Sequence, residues 1–90
     1  MSRGKILVVE DERDIREGLC ELLVRDGYDV AACGSVQEAE RSIAGGGADL
    51  YLLDVMLPDG SGFGLCEHIR DELGSNVPII FLTALDDEDS

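Results

Sequence analysis

The chain has 90 residues, 44% of them hydrophobic and 30% charged, a composition with enough apolar side chains for a core and unlike that of a disordered tail. Twenty acidic residues against seven basic ones leave a net charge of −13. That balance argues against direct binding to nucleic acid or to an anionic membrane, and favours cations and basic partner surfaces. One domain over 1–90 is the most this length allows. No apolar run approaches the ~18–20 residues of a membrane span. No signal-like apolar stretch follows Met-Ser-Arg-Gly-Lys, so a cytoplasmic location is expected.

Residues 5–9 (Lys-Ile-Leu-Val-Val) are β-branched and continuously apolar, the pattern of a strand covered on both faces. The run ends in Glu10, Asp11 and Glu12. A helix follows, with Asp14 and Glu17 spaced as a capping box and Ile15, Leu19, Leu22 and Leu23 on one inward face. Gly27 is placed to end it in a left-handed turn. Residues 28–33 read as a short strand. Ser35 and Glu38 form a second capping-box pair, opening a helix with Val36, Ala39 and Ile43 inward, and Gly45-Gly46-Gly47 stops it.

Leu50-Tyr51-Leu52-Leu53 is too short for an isolated helix and fits a buried parallel strand. It stops at Asp54, and Pro58, Asp59 and Gly60 mark the loop beyond. Leu65, Cys66, Ile69 and Leu73 outline a third amphipathic helix, closed by Gly74. Residues 77–82 (Val-Pro-Ile-Ile-Phe-Leu) read as a fourth buried strand, ending at Thr83-Ala84. Cys20, Cys33 and Cys66 each fall within an apolar pattern and read as small hydrophobic residues.

The resulting order, β-α-β-α-β-α-β, predicts an α/β fold with a doubly wound parallel sheet. If the first, third and fourth strands are neighbours, Glu10, Asp11, Asp54 and Thr83 converge on one sheet edge, where open α/β sheets place their ligand sites. Three carboxylates brought together repel one another, and a hard divalent cation removes that penalty. Magnesium suits such a site, because it accepts one or two carboxylates and keeps water and phosphate oxygens for the rest. A carboxylate beside the metal is able to attack phosphorus and form an acyl phosphate, which makes Asp54 the candidate nucleophile. Other chemistries fit less well. Gly60-Ser61-Gly62-Phe63-Gly64 matches neither a dinucleotide fingerprint nor a nucleophile elbow, and no P-loop exists.

Three segments resemble the receiver domain of two-component response regulators. Ile-Leu-Val-Val-Glu-Asp-Glu is similar to the family's first strand and acidic pair. Leu-Leu-Asp-Val-Met-Leu-Pro-Asp-Gly-Ser-Gly-Phe, with Ile69-Arg70 downstream, is similar to its phosphorylation-site segment, and Pro-Ile-Ile-Phe-Leu-Thr-Ala to its fourth strand. The wording is closest to receivers that precede winged-helix DNA-binding domains. The resemblance implies a flavodoxin-like fold with strand order 2-1-3-4 in this chain. It also implies that Asp54 accepts a phosphoryl group from the phosphohistidine of a sensor histidine kinase or phosphotransfer protein. Asp11 and Asp54 would hold Mg²⁺ directly, Glu10 through water, and Met56 through its backbone carbonyl. Thr83 and the Ala84 N–H would meet the phosphoryl group, while Pro58 and Gly62 shape the loop beside it. Met56 and Leu85, two residues after Asp54 and Thr83, are apolar and unable to orient an attacking water, so slow loss of phosphate is expected.

The family continues with a fourth helix, a fifth strand ending in a lysine, and a fifth helix. This sequence stops near the start of the fourth helix, and its single lysine is Lys5. The expectation is therefore a C-terminally truncated receiver, with an interaction unit lacking competent phosphotransfer as the alternative. An unpaired fourth strand would leave a hydrophobic edge open, and a homodimer through that edge is expected.

Overall fold

The computed structural model describes residues 2–82, position 72 by its backbone alone. In chain order the elements are β1 (Lys5–Val9), α1 (Arg13–Arg25), β2 (Asp29–Cys33), α2 (Val36–Ala44) and β3 (Leu50–Asp54). A small ribbon follows, β4 (Met56–Leu57) and β5 (Gly60–Ser61), then α3 (Gly62–Glu67) running into one π turn (His68–Glu72), and finally β6 (Ile79–Leu82). The main sheet is parallel throughout, in the order β2-β1-β3-β6. This is the expected doubly wound layout, with β6 as the fourth sheet strand.

Alternation along the strands divides the interior in two. Leu7, Val9, Tyr51 and Leu53 point to one face, where Ala39 and Ile43 of α2 and Leu65 and Ile69 cover them. Ile6, Val8 and Leu52 point to the other, against Leu19 and Leu23 of α1. β1 and β3 are sealed on both sides because they lie between two neighbours and two helical layers, as continuous apolar runs require. Cys33 is buried in the first cluster and all three cysteines are free.

Several local expectations need correction. α1 starts at Arg13 with Glu12 at its N-cap and no side-chain cap, so Asp14 lies inside the helix and no Asp14–Glu17 box forms. Glu17 instead accepts from Arg13 Nε at 3.0 Å. The entry is set earlier because the Glu10 carboxylate accepts from the Glu12 N–H at 2.9 Å. Ile15 and Leu22 are 52% and 59% exposed rather than inward. α1 lies over β1 and β2, where Leu19 and Leu23 meet Ile6, Val8 and Val30, so its opposite flank finds no partner among the described residues.

The third helix begins earlier than its apolar pattern suggests, at Gly62, and Ser61 caps it by accepting from the Gly64 N–H at 3.1 Å. Its end widens: the Leu73 N–H reaches the His68 carbonyl at 3.2 Å, and Leu73 turns outward. β6 starts at Ile79 rather than at Val77, whose carbonyl accepts from Arg70 Nη1 at 2.6 Å. By contrast, the Ser35–Glu38 cap forms as expected, with Ser35 Oγ accepting from the Glu38 N–H at 3.2 Å.

Candidate functional site

β1 and β3 are adjacent, with Val9 opposite Leu53. The residues that follow them are therefore neighbours at the carboxyl edge of the sheet. One carboxylate oxygen from each of Glu10, Asp11 and Asp54 lies within 4.8 Å of the other two. Glu10 is buried, Asp54 half-buried and Asp11 exposed, so the cluster opens to solvent on one side. The main chain of Glu10 is fixed at both ends. Its N–H donates to the Cys33 carbonyl at 3.0 Å, and its carbonyl accepts from Arg16 Nη1 at 2.9 Å.

Burial pushes the Glu10 carboxyl above its ordinary value, and the hydrogen bond from the Glu12 N–H offsets part of that. The neighbouring carboxylates of Asp54 and Asp11 raise it further. This is the electrostatic signature of acids gathered without a counter-charge. An all-oxygen donor set of this spread, close to the ~4.2 Å across an octahedral shell with ~2.1 Å bonds, suits a small hard cation.

The loop after Asp54 is built to lie close to it. The Gly62 N–H donates to the Val55 carbonyl at 2.8 Å. A Cβ on Gly62 would overlap the Asp54 carbonyl oxygen, so only glycine lets α3 start against the end of β3. Between these points the β4–β5 ribbon pairs Met56 with Ser61 and Leu57 with Gly60. Leu57 is anchored in the core, whereas the Met56 side chain is 77% exposed. Pro58 lies at the exposed tip. Thr83, Ala84 and Leu85 lie outside the described residues. Leu82, which precedes Thr83 in the sequence, is the residue opposite Asp54 across the sheet.

Asp59 has a place that the sequence pattern did not reveal. Its Oδ1 accepts from the Val36 N–H at 2.8 Å and its Oδ2 from the Gln37 N–H at 3.0 Å. Those two bonds hold its carboxyl below the ordinary aspartate value. Nothing near Asp59 in sequence signals this, because the donors belong to the first turn of α2 and that helix already carries its own Ser35–Glu38 cap.

A family model described as the response regulator receiver domain matches residues 6–90. The chain belongs to this family. It is 43% identical over 86 residues to the phosphate regulon transcriptional regulatory protein PhoB of Pseudomonas aeruginosa, covering 94% of this chain and 38% of that protein. To the probable transcriptional regulator ycf27 of Cyanidium caldarium it is 43% identical over 82 residues, covering 91% of the chain and 32% of the relative. The chain thus spans about a third of the length of the curated relatives it matches. Among solved structures, the non-phosphorylated HemR receiver domain of Leptospira biflexa superposes with a TM-score of 0.81 at 35% identity. That likeness covers 97% of this receiver chain and 73% of the HemR domain. Receiver domains belong to two-component signal transduction and generally bind Mg²⁺ at an acidic pocket, and this chain has an acidic cluster in Glu10, Asp11 and Asp54.

Proposed function

We propose that this receiver takes a phosphoryl group onto Asp54 from the phosphohistidine of a sensor histidine kinase or phosphotransfer protein. The observation that carries the reading is the meeting of Glu10, Asp11 and Asp54 at one sheet edge, with Asp54 closing the central strand. Asp54 attacks phosphorus through a carboxylate oxygen. The phosphorus–nitrogen bond to the donor imidazole breaks, and its electron pair stays with the imidazole. Asp11 and Asp54 hold Mg²⁺ directly, Glu10 through water, and Met56 through its carbonyl. When bound, Mg²⁺ supplies positive charge against the transferring group. Thr83 and the Ala84 N–H are assigned to the phosphoryl oxygens, following Leu82 in the sequence. The reaction takes place in the cytoplasm, and the chain's net charge of −13 leaves nucleic acid to other partners.

Intact mass after incubation with acetyl phosphate decides the reading. One phosphoryl group is expected with Mg²⁺ and none without it, and Asp54→Asn removes the gain. Equal labelling of Asp54→Asn overturns the site assignment. No labelling of the parent favours an interaction unit without phosphotransfer.

Self-association is also inferred, through the outer edge of β6. The ladder to β3 starts with the Tyr51 N–H on the Pro78 carbonyl at 3.0 Å, so Ile79 and Phe81 turn their backbone groups away from β3. Nothing pairs with that edge among the described residues, and Ile80 is 51% exposed. Such an edge templates pairing with a second copy. Light scattering at micromolar concentration is expected to give a dimer mass, and a clean monomer overturns it.

A further inference from the structure

The β4–β5 turn is held by two independent contacts with α2. Asp59 receives two successive α2 amides, Val36 at 2.8 Å and Gln37 at 3.0 Å. Beside it, a Cβ on Gly60 would stand 3.1 Å from Val36 Cγ2, so the turn backbone already packs tightly on the same residue. α2 also carries a local cap, in which Ser35 Oγ takes the Glu38 N–H and Glu38 Oε1 takes the Gly34 N–H at 2.8 Å, and Asp59 takes the two first-turn donors that this cap leaves over. The ribbon has a second anchor at its base, where the Gly62 N–H meets the Val55 carbonyl. Met56 lies between the two anchors, and its exposed side chain contributes no packing of its own. The backbone position of Met56 is therefore set by the ribbon around it, through the buried Leu57 beside it and the two anchored ends.

We propose that Asp59 is a positioning residue of the metal site, clamping the ribbon tip to α2 and so fixing the Met56 carbonyl. The inference rests on the functional reading above, in which that carbonyl is a metal ligand. A clamp that strengthens metal binding is strengthened by the metal to the same degree, because coupling between two sites is reciprocal. α2 is then linked to the state of the acidic site, although no residue of α2 belongs to that site.

Two measurements on the full chain test this: Mg²⁺ affinity by calorimetry, and hydrogen exchange of the Val36 and Gln37 amides with and without Mg²⁺. In the parent, Mg²⁺ slows exchange of both amides. Asp59→Ala weakens Mg²⁺ binding about tenfold, the low end of the loss seen when groups behind a metal ligand are removed. Asp59→Asn keeps one carbonyl acceptor and falls between the two. If Asp59→Ala fails to fold, Val36→Pro removes one donor instead. Proline is favoured at the first helical position, and Ser35 before it is already extended, with φ −155° and ψ 165°. It is expected to weaken Mg²⁺ in the same direction by a smaller factor. Unchanged Mg²⁺ affinity in a folded variant, or amide exchange in the parent that ignores Mg²⁺, reduces Asp59 to a local helix anchor and overturns the inference alone. A parent that binds no Mg²⁺ overturns the functional reading and the inference with it.

Discussion

At the amino end of β3, Asp49 Oδ2 accepts from the Lys5 N–H at 2.9 Å, and the Asp49 N–H donates to the Lys5 carbonyl at 2.8 Å. Around it the Arg3 N–H reaches the Gly27 carbonyl, the Asp29 N–H reaches the Gly4 carbonyl, and the Arg3 guanidinium lies over the Tyr28 ring, 5.1 Å from its centroid. At the carboxyl end of the same strand, Asp54 faces Glu10 and Asp11 instead. One end gives an acid backbone donors and closes the fold. The other gathers acids, and burial together with the neighbouring carboxylates raises the Glu10 carboxyl above its ordinary value.

The comparison breaks most severely at Gly62. Gly62→Ala sets a Cβ into the Asp54 carbonyl oxygen, backbone against side chain, where nothing flexible is available to yield. The expected loss is about 3 kcal/mol or more, the upper range for overpacking a tight site, and it is read by urea unfolding. Phosphate gain should fall with it, because relief of the overlap moves Asp54. A variant as stable as the parent would contradict the close approach of α3 to β3.

Glu10→Gln sharpens the comparison by removing a charge from the crowded end. Without metal, the variant is expected to be more stable than the parent at neutral pH, because burial and the neighbouring carboxylates disfavour the ionised Glu10 side chain. The parent's raised carboxyl carries a pH signature. Its contribution is fully present below 4.5, the ordinary value, and is lost as pH rises through the higher folded value. The stability of the parent in metal-free buffer should therefore decline over that interval, and the decline should flatten in Glu10→Gln. Mg²⁺ should bind the variant more weakly, by about tenfold. A variant less stable than the parent at neutral pH would mean that Glu10 serves the fold rather than the metal.

Much of the crowded end was legible in the sequence, and for a physical reason. Apolar runs of strand length that stop at an acid place that acid at a sheet edge, and alternation of strands and helices brings the first and third edges together. Leu50 to Asp54 and Lys5 to Glu10 carry that information locally. Ile15 and Leu22 were misread because a helical apolar pattern states what a face suits, not what covers it. The position of α1 over β1 and β2 settles that, and it is a tertiary fact. Asp49 and Asp59 were silent for another reason. Their partners, Lys5 in one case and Val36 and Gln37 in the other, are remote in sequence, and an acid in a loop looks alike whether it meets water or a distant backbone amide.

The smallest effect is expected at the closed end, and it tests whether the two ends of β3 are independent. Asp49→Ala removes one acceptor from the Lys5 N–H while leaving the Asp49 N–H on the Lys5 carbonyl. The bond is solvent-exposed, so water replaces the lost carboxylate at little cost. The β1–β3 register also begins beyond it, with the buried Ile6 opposite the half-buried Leu50. A loss of about 1 kcal/mol or less is expected, the usual net worth of one hydrogen bond, and Asp49→Asn should recover most of it by keeping an oxygen acceptor. Neither variant should change Mg²⁺ affinity or phosphate gain at Asp54, because the sealed residues Tyr51, Leu52 and Leu53 separate the two ends and hold the strand in register from both sides. Calorimetric Mg²⁺ titration of Asp49→Ala makes the check. An affinity that shifts along with stability would show that β3 slides as a whole, and the contrast between a structural end and a chemical end would no longer stand.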